Sequence, residues 1–505
     1  MAVVALVFIA SALAYYMLRA AYNIFNNRPR KSQRNPPDDA IPMYPHLDPF
    51  WGLDLSLAMW RDFARGRLAE GLRLRHARCG ATFKARELFG GACIYTVDPA
   101  NIRAVTTSQF AHFQKSAWVD EASKHIGHGV LMNEGNAWRR SRQLLKPVFA
   151  KTALDELALV EPHVRNMVRT IQRHEGKTFD FMELATRFSL DVVTEFLFDG
   201  SVDSLSSTSG MDGRDFLDLV KAFEPACGLF IAVGALAWLK LAFSYRKLLA
   251  VVGGMKAFFK QRLDLLREKQ RYLHRDGGRK SSTSLFRMLE QEGLSVDDMQ
   301  AELQNIFFAS FDTTTALLAN LVHALAQRPD IQKKLRDEIA VLQGATPTKQ
   351  DISAMPYLRC VLYEGLRLYT PVASHSRQAA VDTTLPRGGG PDGQSPVAVR
   401  AGTSVVWSIY ALNRSPLHYG HDWAVFRPER WADNLRPLAT SPHFMPFGSG
   451  PRSCIGQQMA QTEISYVLVR LLQVFGTLRS RDERPFREAE AVSFYSAHGT
   501  MVEMS

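Results

Sequence analysis

The amino-acid sequence predicts a mainly α-helical fold with small β-sheets, preceded by an N-terminal transmembrane helix. Helical periodicity dominates from about residue 55 onward, and strand-like stretches are confined to 82–97 and 379–407. Apolar residues at helical spacing run from a capping residue, Ser295, to Gln327, and a helix of that length can cross a whole domain. The third observation is a terminal stretch of 18 residues without a charged side chain, near the lower length limit for a membrane span.

The N-terminal residues 1–25 are predicted to form the membrane anchor. Basic residues follow the apolar stretch, and positive flanks remain on the cytoplasmic side: Arg28, Arg30, Lys31 and Arg34. A cleaved signal peptide is the alternative, but such peptides carry basic residues before their apolar stretch, and none precede this one. The bulk of the chain is therefore expected to face the cytosol.

Residues 26–50 are predicted to form a basic and proline-rich linker, and residues 51–505 a single catalytic domain. Prolines within 35–50 disfavour a helix there. Residues 225–239 are almost wholly apolar but too short to span a bilayer, so they are either a buried helix or a segment that dips into lipid.

The overall composition limits the classes of partner and compartment. Hydrophobic residues make up 46% of the chain and charged residues 22%, which is typical of a globular protein. The formal net charge of +11 suggests an acidic partner or an anionic membrane surface. Lys and Arg are scattered instead of forming a basic stripe, so no nucleic-acid partner is expected. Five scattered cysteines indicate a reducing compartment.

The stretch "FGSGPRSCIG" at 447–456 surrounds one cysteine with glycines, a proline and an arginine. Gly448 and Gly450 allow a tight backbone turn beneath the Cys454 sulfur, and the helical pattern that follows places a positive helix end beside it. Arg452 is positioned to reach a carboxylate of a bound ligand. A buried cysteine next to a turn is the alternative. A phosphate-binding loop is excluded because neither G-x-G-x-x-G nor G-K-[ST] is present there.

This stretch resembles the haem-binding signature F-x-x-G-x-R-x-C-x-G of cytochrome P450 enzymes, matched by Phe447, Gly450, Arg452, Cys454 and Gly456. The resemblance extends from about residue 45 to the end of the chain. It implies a helix-rich triangular prism around a buried haem b. Cys454 would be the axial ligand of the haem iron, and Phe447, Arg452 and Gly456 would contact the cofactor.

A second motif is Glu364-x-x-Arg367, whose spacing places both side chains on one helix face. A surface ion pair is the ordinary interpretation of such a pair. The resemblance instead implies a buried structural network with Arg430 as the third member, and removing one charge from such a network costs roughly 3–5 kcal/mol.

Trp138-x-x-x-Arg142 places an indole N–H and a guanidinium on one helix face, where they suit a haem propionate. The alternative is an amphipathic basic helix, because Arg139 and Arg140 are adjacent. Arg377 matches another propionate-binding position of the family by resemblance.

The polar residues Asp312 and Thr313 interrupt the apolar pattern of the long helix. A threonine there can bond back to a carbonyl one turn earlier. The stretch from Ala309 resembles the family's oxygen-activation motif A-G-x-D-T-T, with Ser310 in place of glycine. By this resemblance Thr313 stabilises bound dioxygen and Asp312 relays protons, while the Ser310 hydroxyl can alter the local water network and the coupling of electrons to product.

The resemblance implies a haem-thiolate monooxygenase that hydroxylates a lipophilic substrate with O2. Electrons would come from NADPH through a membrane-bound cytochrome P450 reductase, with cytochrome b5 as a further potential donor, at the endoplasmic reticulum membrane. The stretches at 44–54 and 383–414 resemble fungal alkane and fatty-acid hydroxylases, so the expected substrate is a long-chain fatty acid, an alkane or a fungal secondary metabolite. The alternative function is a haem-thiolate isomerase or dehydratase, which needs no external electrons.

Overall fold

In the computed structural model of the protein, the described residues are 41–505 except 49, 88–90, 207–214, 224–243, 276–283, 433–440 and 491–492. They fall into two compact units. The smaller unit comprises the described residues up to Ser116 together with Ser374–Leu412, and the larger comprises Ala117–Ala373 with Asn413–Ser505.

Helices dominate the described part of the chain, as the sequence predicts. They are α1 (Leu53–Ala64), α2 (Leu68–Cys79), α3 (Pro99–Arg103), α4 (Ala117–Ile126), α5 (Gly135–Gln172), α6 (Phe181–Phe198), α7 (Ser244–Arg275), α8 (Leu285–Gln291), α9 (Val296–Ala326), α10 (Pro329–Ile339), α11 (Lys349–Ser353), α12 (Pro356–Leu368), α13 (Ile409–Leu412), α14 (Pro416–Tyr419) and α15 (Gln457–Val474).

The strands are short and form small sheets, which also agrees with the predicted fold class. They are β1 (Thr82–Glu87), β2 (Gly91–Thr96), β3 (Phe113–Gln114), β4 (Phe179–Asp180), β5 (Ser374–Ala379), β6 (Thr383–Gly389), β7 (Ser395–Val399), β8 (Ser404–Ser408), β9 (Leu478–Ser480), β10 (Glu488–Glu490), β11 (Phe494–Ser496) and β12 (Met501–Met504). In the larger unit, β12 lies between β4 and β9, and β10 pairs with β11.

The smaller unit is built on a five-stranded sheet of order β1-β2-β8-β5-β3, beside the β6-β7 hairpin. β1 and β2 are antiparallel, with Thr82 opposite Thr96, and β2 runs parallel to β8. The chain entering this unit is tied to the sheet before α1 begins, since the Tyr44 amide donates to the Lys84 carbonyl at 2.8 Å. Strands β1, β2, β6, β7 and β8 lie within one residue of the predicted strand-like stretches, whereas β3 and nearly all of β5 lie outside them.

The larger unit is organised around α9, which matches the predicted long helix. The Ser295 hydroxyl accepts a hydrogen bond from the Asp298 amide at 3.1 Å, which satisfies one of the unpaired donors at the helix start. The N-terminal half of α9 packs in one buried apolar cluster with α6, α7 and α8, and its C-terminal half packs in a second with α10, α12 and α15. The polar residues in the middle of α9 therefore lie at the junction of two apolar clusters.

The membrane-related predictions concern mainly residues outside this description. The predicted anchor at 1–25 and the apolar segment at 225–239 both lie outside the described residues. Within the part of the chain that the structure describes, no helix combines the length and the apolar character that crossing a membrane requires.

Candidate functional site

The Cys454 loop has the backbone that its glycines predict. Gly448 and Gly450 adopt φ angles of 70° and 71°, in the left-handed region that side chains with a Cβ rarely occupy. The loop closes on itself because the Cys454 amide donates to the Phe447 carbonyl at 2.9 Å. Gly456 is the N-cap of α15, so Cys454 precedes a helix N-terminus. Its sulfur therefore lies where the helix dipole favours a thiolate.

The Cys454 side chain is accessible to solvent, although protein atoms surround it closely. Both conditions hold together for an atom inside a pocket. Desolvation raises the pKa of the Cys454 thiol, while the Gly456 amide and the positive charge of Arg142 oppose that rise. Burial likewise lowers the pKa of Arg142, against the opposing effect of Cys454. The guanidinium and the sulfur are thus near enough for each to influence the charge of the other.

Arg452 joins the cysteine loop to the start of α5. Its guanidinium lies over the Trp138 ring, 4.4 Å from the centroid. The Nη2 atom donates to the Asn133 carbonyl at 2.7 Å and lies 2.9 Å from a Glu134 carboxylate oxygen. The sequence predicts Arg452, Trp138 and Arg142 as cofactor-binding groups, and the structure brings all three to the Cys454 loop. The contacts to Asn133 and Glu134 depend on the tertiary fold and were not predicted.

One turn of α9 is accessible in the middle of an otherwise buried stretch. Ala309 is exposed, while Ser310 and Thr313 are half-buried. The Thr313 hydroxyl donates to the Ala309 carbonyl at 2.9 Å, which is the back-bonding that the sequence predicts for this threonine. Ser310 makes the same kind of bond to Ile306 at 2.7 Å. Asp312 is buried on the same helix, with 5% of its surface exposed.

The aromatic residues before this turn mainly pack the core of the larger unit. The Phe307 and Phe311 rings are stacked 5.5 Å apart and both side chains are buried. Ile455 and Met459, on either side of the α15 start, pack against the same cluster. Helix α9 and the residues that follow Cys454 therefore share one apolar core.

Glu364 is the centre of a buried polar network. Arg367 donates to its two carboxylate oxygens from Nε and Nη2 at 2.9 and 2.8 Å, and Arg430 donates from Nε at 3.0 Å. The structure thus brings together the three residues that the sequence predicts as a network. It adds two donors that the sequence motifs did not reveal, the Trp431 indole at 2.9 Å and the Arg427 amide at 2.8 Å.

Arg377 belongs to the smaller unit, on β5. Its Nη1 donates to the carbonyl of Ser376 at 2.7 Å, and its guanidinium lies 5.9 Å from the centroid of the Trp407 ring. Next to it, burial lowers the pKa of His375 to about 4, and the positive charge of Arg377 adds to the effect. His375 is therefore neutral at physiological pH.

Sequence reasoning missed Glu463, a buried carboxyl group on α15. It is 6% exposed, and desolvation raises its pKa to about 8. A signal was present: Ala460, Glu463 and Val467 are spaced three and four residues apart, which places the glutamate on the apolar face of the helix.

The residues around Cys454 fit an iron porphyrin. A cysteine sulfur is accessible at a helix start, and cysteine thiolate is an established axial ligand of haem iron. Indole and guanidinium donors of the kind that bind propionates lie on the same loop and on α5. No cluster of three or more His, Cys, Asp or Glu side chains suited to a metal ion is present among the described residues.

Comparison with known proteins agrees with this donor set. The sequence model of the family described as Cytochrome P450 matches residues 80–497. The chain is 33% identical to the cytochrome P450 monooxygenase himC of Aspergillus japonicus, over 99% of this chain and 90% of that protein. It is 34% identical to the cytochrome P450 monooxygenase FPY7 of Fusarium mangiferae, over 98% and 95%. It is also 34% identical to cytochrome P450 52A5 of Candida maltosa, over 92% and 91%. The chain belongs to the cytochrome P450 family.

Proposed function

We propose that this protein is a membrane-attached haem-thiolate monooxygenase that hydroxylates a lipophilic substrate. The observation that carries the proposal is the accessible Cys454 sulfur, at the start of α15 and within reach of the Arg142 charge. The full-length relatives named as monooxygenases support the reaction class. Bound haem supplies the activation of dioxygen, which ligation by a thiolate favours.

In this proposal the protein holds haem b through the residues that the sequence predicts. Cys454 would ligate the haem iron through its thiolate, and Phe447 and Gly456 would contact the cofactor from the cysteine loop. Trp138, Arg142, Arg377 and Arg452 would donate hydrogen bonds to the haem carboxylates, for which planar guanidinium groups are well suited. The contact of Arg452 with Trp138 supports this assignment, because it orients two of the four donors together.

The α9 residues Asp312 and Thr313 are proposed to supply protons at the part of the site where dioxygen would bind. Thr313 is half-buried on the accessible turn, where its hydroxyl can donate to a bound ligand as well as to Ala309. Asp312 is buried one residue earlier, so its carboxylate can exchange protons away from bulk water. Together the two residues would deliver protons while the surrounding apolar clusters exclude water.

The function is tested by incubating the full chain with NADPH, a cytochrome P450 reductase and either fatty acids and alkanes or an extract of secondary metabolites. We expect an oxygenated product that depends on NADPH and on the reductase, with cytochrome b5 as an optional second donor. Product formation that persists without NADPH or reductase would support the isomerase alternative instead.

Thr313→Ala should raise the ratio of hydrogen peroxide to product about tenfold, which corresponds to a change of about 1.4 kcal/mol between the barriers to peroxide release and to product formation.

Attachment to the endoplasmic reticulum membrane is proposed from the sequence of residues 1–25 and from the surface of α1. Helix α1 presents Leu53, Leu57 and Trp60 at spacings of four and three, exposed by 44%, 65% and 41%. Leu47 and Phe50, immediately before the helix, are exposed by 93% and 68%. These side chains form an apolar surface close in sequence to the proposed anchor. Burying one leucine in an apolar phase contributes about 1.5–3 kcal/mol.

The membrane proposal predicts that Trp60 contacts lipid in the reconstituted full chain. Brominated lipids should quench tryptophan fluorescence, and Trp60→Phe should reduce this quenching because tryptophan prefers the membrane interface. Trp407→Phe is the matched control, since Trp407 is buried with 4% exposure. Equal quenching in the Trp60→Phe variant and the unmodified protein would contradict lipid contact at α1.

A further inference from the structure

A small cavity lies between α5, α6, α9 and α15 in the larger unit. Its volume is about 30 Å³, and its wall is almost wholly apolar. The apolar part of the wall consists of Phe149, Val192, Val193, Phe196 and Met459. Neither Cys454 nor any other residue predicted to hold haem lines it. The cavity is therefore distinct from the proposed cofactor site.

The polar residues that line the cavity turn almost no polar surface towards it. Ser310 donates its hydroxyl proton to the Ile306 carbonyl at 2.7 Å, so this group is already used within α9. The Oγ atom of Ser189 is itself buried among protein atoms. Burial alone raises the pKa of Glu463 to about 8, because the surroundings of this carboxyl group solvate charge poorly. Ordered water needs about two to four polar partners, so the cavity does not suit it.

The size and the chemistry of the cavity select a small apolar guest. One water-sized sphere occupies about 10–15 Å³ by the same measure, so about 30 Å³ has room for a molecule of two heavy atoms. Wall atoms that face an empty space lack dispersion contacts on that side, and a guest restores these contacts. Apolar solutes also leave water favourably. The ligand class that fits is a diatomic gas, and dioxygen is the diatomic gas that the proposed reaction consumes.

The cavity adjoins the accessible turn of α9. Ser310 and Thr314 line it from one helix face, since they are four residues apart. Ala309 and Thr313, each one residue earlier, form the neighbouring face, where Ala309 is exposed and Thr313 is half-buried. Ser310 is half-buried as well, although it also lines the cavity. Ser310 therefore forms the boundary between the cavity and the accessible turn.

We propose that this cavity is a docking site for dioxygen, from which the gas passes beside Ser310 to the accessible turn of α9. Docking is non-covalent, so no bond forms or breaks and no electron or proton moves. The identity of the gas rests on the proposed function, since a monooxygenase consumes dioxygen. The affinity for a small apolar gas rests on the cavity alone.

Val193→Ile tests the proposal by adding a methylene group to the cavity wall, and Val192→Ile repeats the test from a second position. Val322→Ile is the matched control, because Val322 is also a buried valine, at 1% exposure against 5% for Val193, and does not line the cavity. With NADPH and reductase, we expect the KM for dioxygen to rise about threefold in the two filling variants. The kcat at saturating dioxygen should not change, because abundant gas reaches the turn without prior docking. Both values should stay unchanged in Val322→Ile.

A second readout needs no turnover. Dioxygen is paramagnetic and speeds the nuclear relaxation of nearby methyl groups, whereas dinitrogen, of similar size, does not. In the haem-loaded ferric full chain with labelled methionine methyl groups, equal pressures of the two gases give the effect of dioxygen at Met459 as a difference. Val193→Ile and Val192→Ile should remove most of this difference, and Val322→Ile should leave it. Met167 is the internal control, since it is fully buried in the other apolar cluster of the larger unit.

The outcomes separate the inference from the proposed function. A relaxation difference at Met459 that survives both filling variants would overturn the docking site. An unchanged KM for dioxygen in both filling variants would overturn the passage of the gas to the turn. If the unmodified protein makes no product with NADPH and reductase, the proposed function fails, while the relaxation series still decides whether the cavity binds a small apolar gas.

Discussion

Replacement of Cys454 by serine is expected to abolish NADPH-dependent product formation, with a loss of at least about 10²-fold, or roughly 2.7 kcal/mol in the barrier. A serine hydroxyl stays protonated near neutral pH and does not donate electron density to iron as a thiolate does. The reduced, carbon-monoxide-treated protein should also lose the red-shifted Soret band that thiolate ligation gives. Both effects are measured on the purified variant with the reductase present.

Cys79→Ser is the control for the Cys454 experiment. Cys79 ends α2 in the smaller unit and is a half-buried free cysteine, so its replacement tests the loss of a thiol that has no proposed role. The spectrum and the activity of this variant should match those of the unmodified protein. Full activity in Cys454→Ser would contradict the assignment of the axial ligand and, with it, the proposed function.

Replacement of Glu364 by alanine is expected to lower the free energy of unfolding by roughly 3–5 kcal/mol. The change leaves two guanidinium groups, of Arg367 and Arg430, buried without their shared carboxylate. A domain is stable by only about 5–15 kcal/mol, so the variant should unfold at markedly lower urea concentration and retain little haem. Urea titration followed by circular dichroism and the haem-to-protein ratio measure the two effects.

Glu70 offers a matched control on α2. It pairs with Arg73 at the same spacing of three residues, through the same two-pronged contact at 2.7 Å, but the two side chains are 30% and 21% exposed. Because partly exposed pairs contribute about 0–1 kcal/mol, Glu70→Ala should shift the urea midpoint only slightly. Equal destabilisation by the two replacements would show that burial does not set the cost at Glu364.

The fold class and the main helix were predictable because local signals determine them. The capping pair at Ser295 and Asp298 and the apolar period to Gln327 predict α9, whose observed bounds are Val296–Ala326. The glycines around Cys454 predict the turn through their permitted φ angles. The roles of the aromatic residues were harder to predict, since Phe307 and Phe311 suit a substrate wall and a core equally well until their neighbours are known.

The partners of charged residues could not be predicted in the same way. Arg452 contacts Glu134 and Asn133, although Asn133 lies 319 positions earlier in the sequence. No local sequence pattern specifies a contact over that separation. The buried state of Glu364 was expected only from the family resemblance, because E-x-x-R spacing is the same in surface helices. Arg427 entered the network through its main-chain amide, which leaves no trace in side-chain motifs.

The buried arginines of the Glu364 network also hold a stretch of chain mainly by its backbone, with one side-chain hydrogen bond from Arg430 to Asp422. Arg367 donates to the carbonyl oxygens of Asn413, Trp423 and Val425, and Arg430 donates to those of Tyr419, Asp422 and Val425. Every amino acid carries the same carbonyl, so these anchors do not depend on which outward side chains the stretch bears. Leu417, 91% exposed, illustrates that latitude. Evolution and protein engineering can therefore rewrite the outer face of 413–425 while its path through the molecule is preserved.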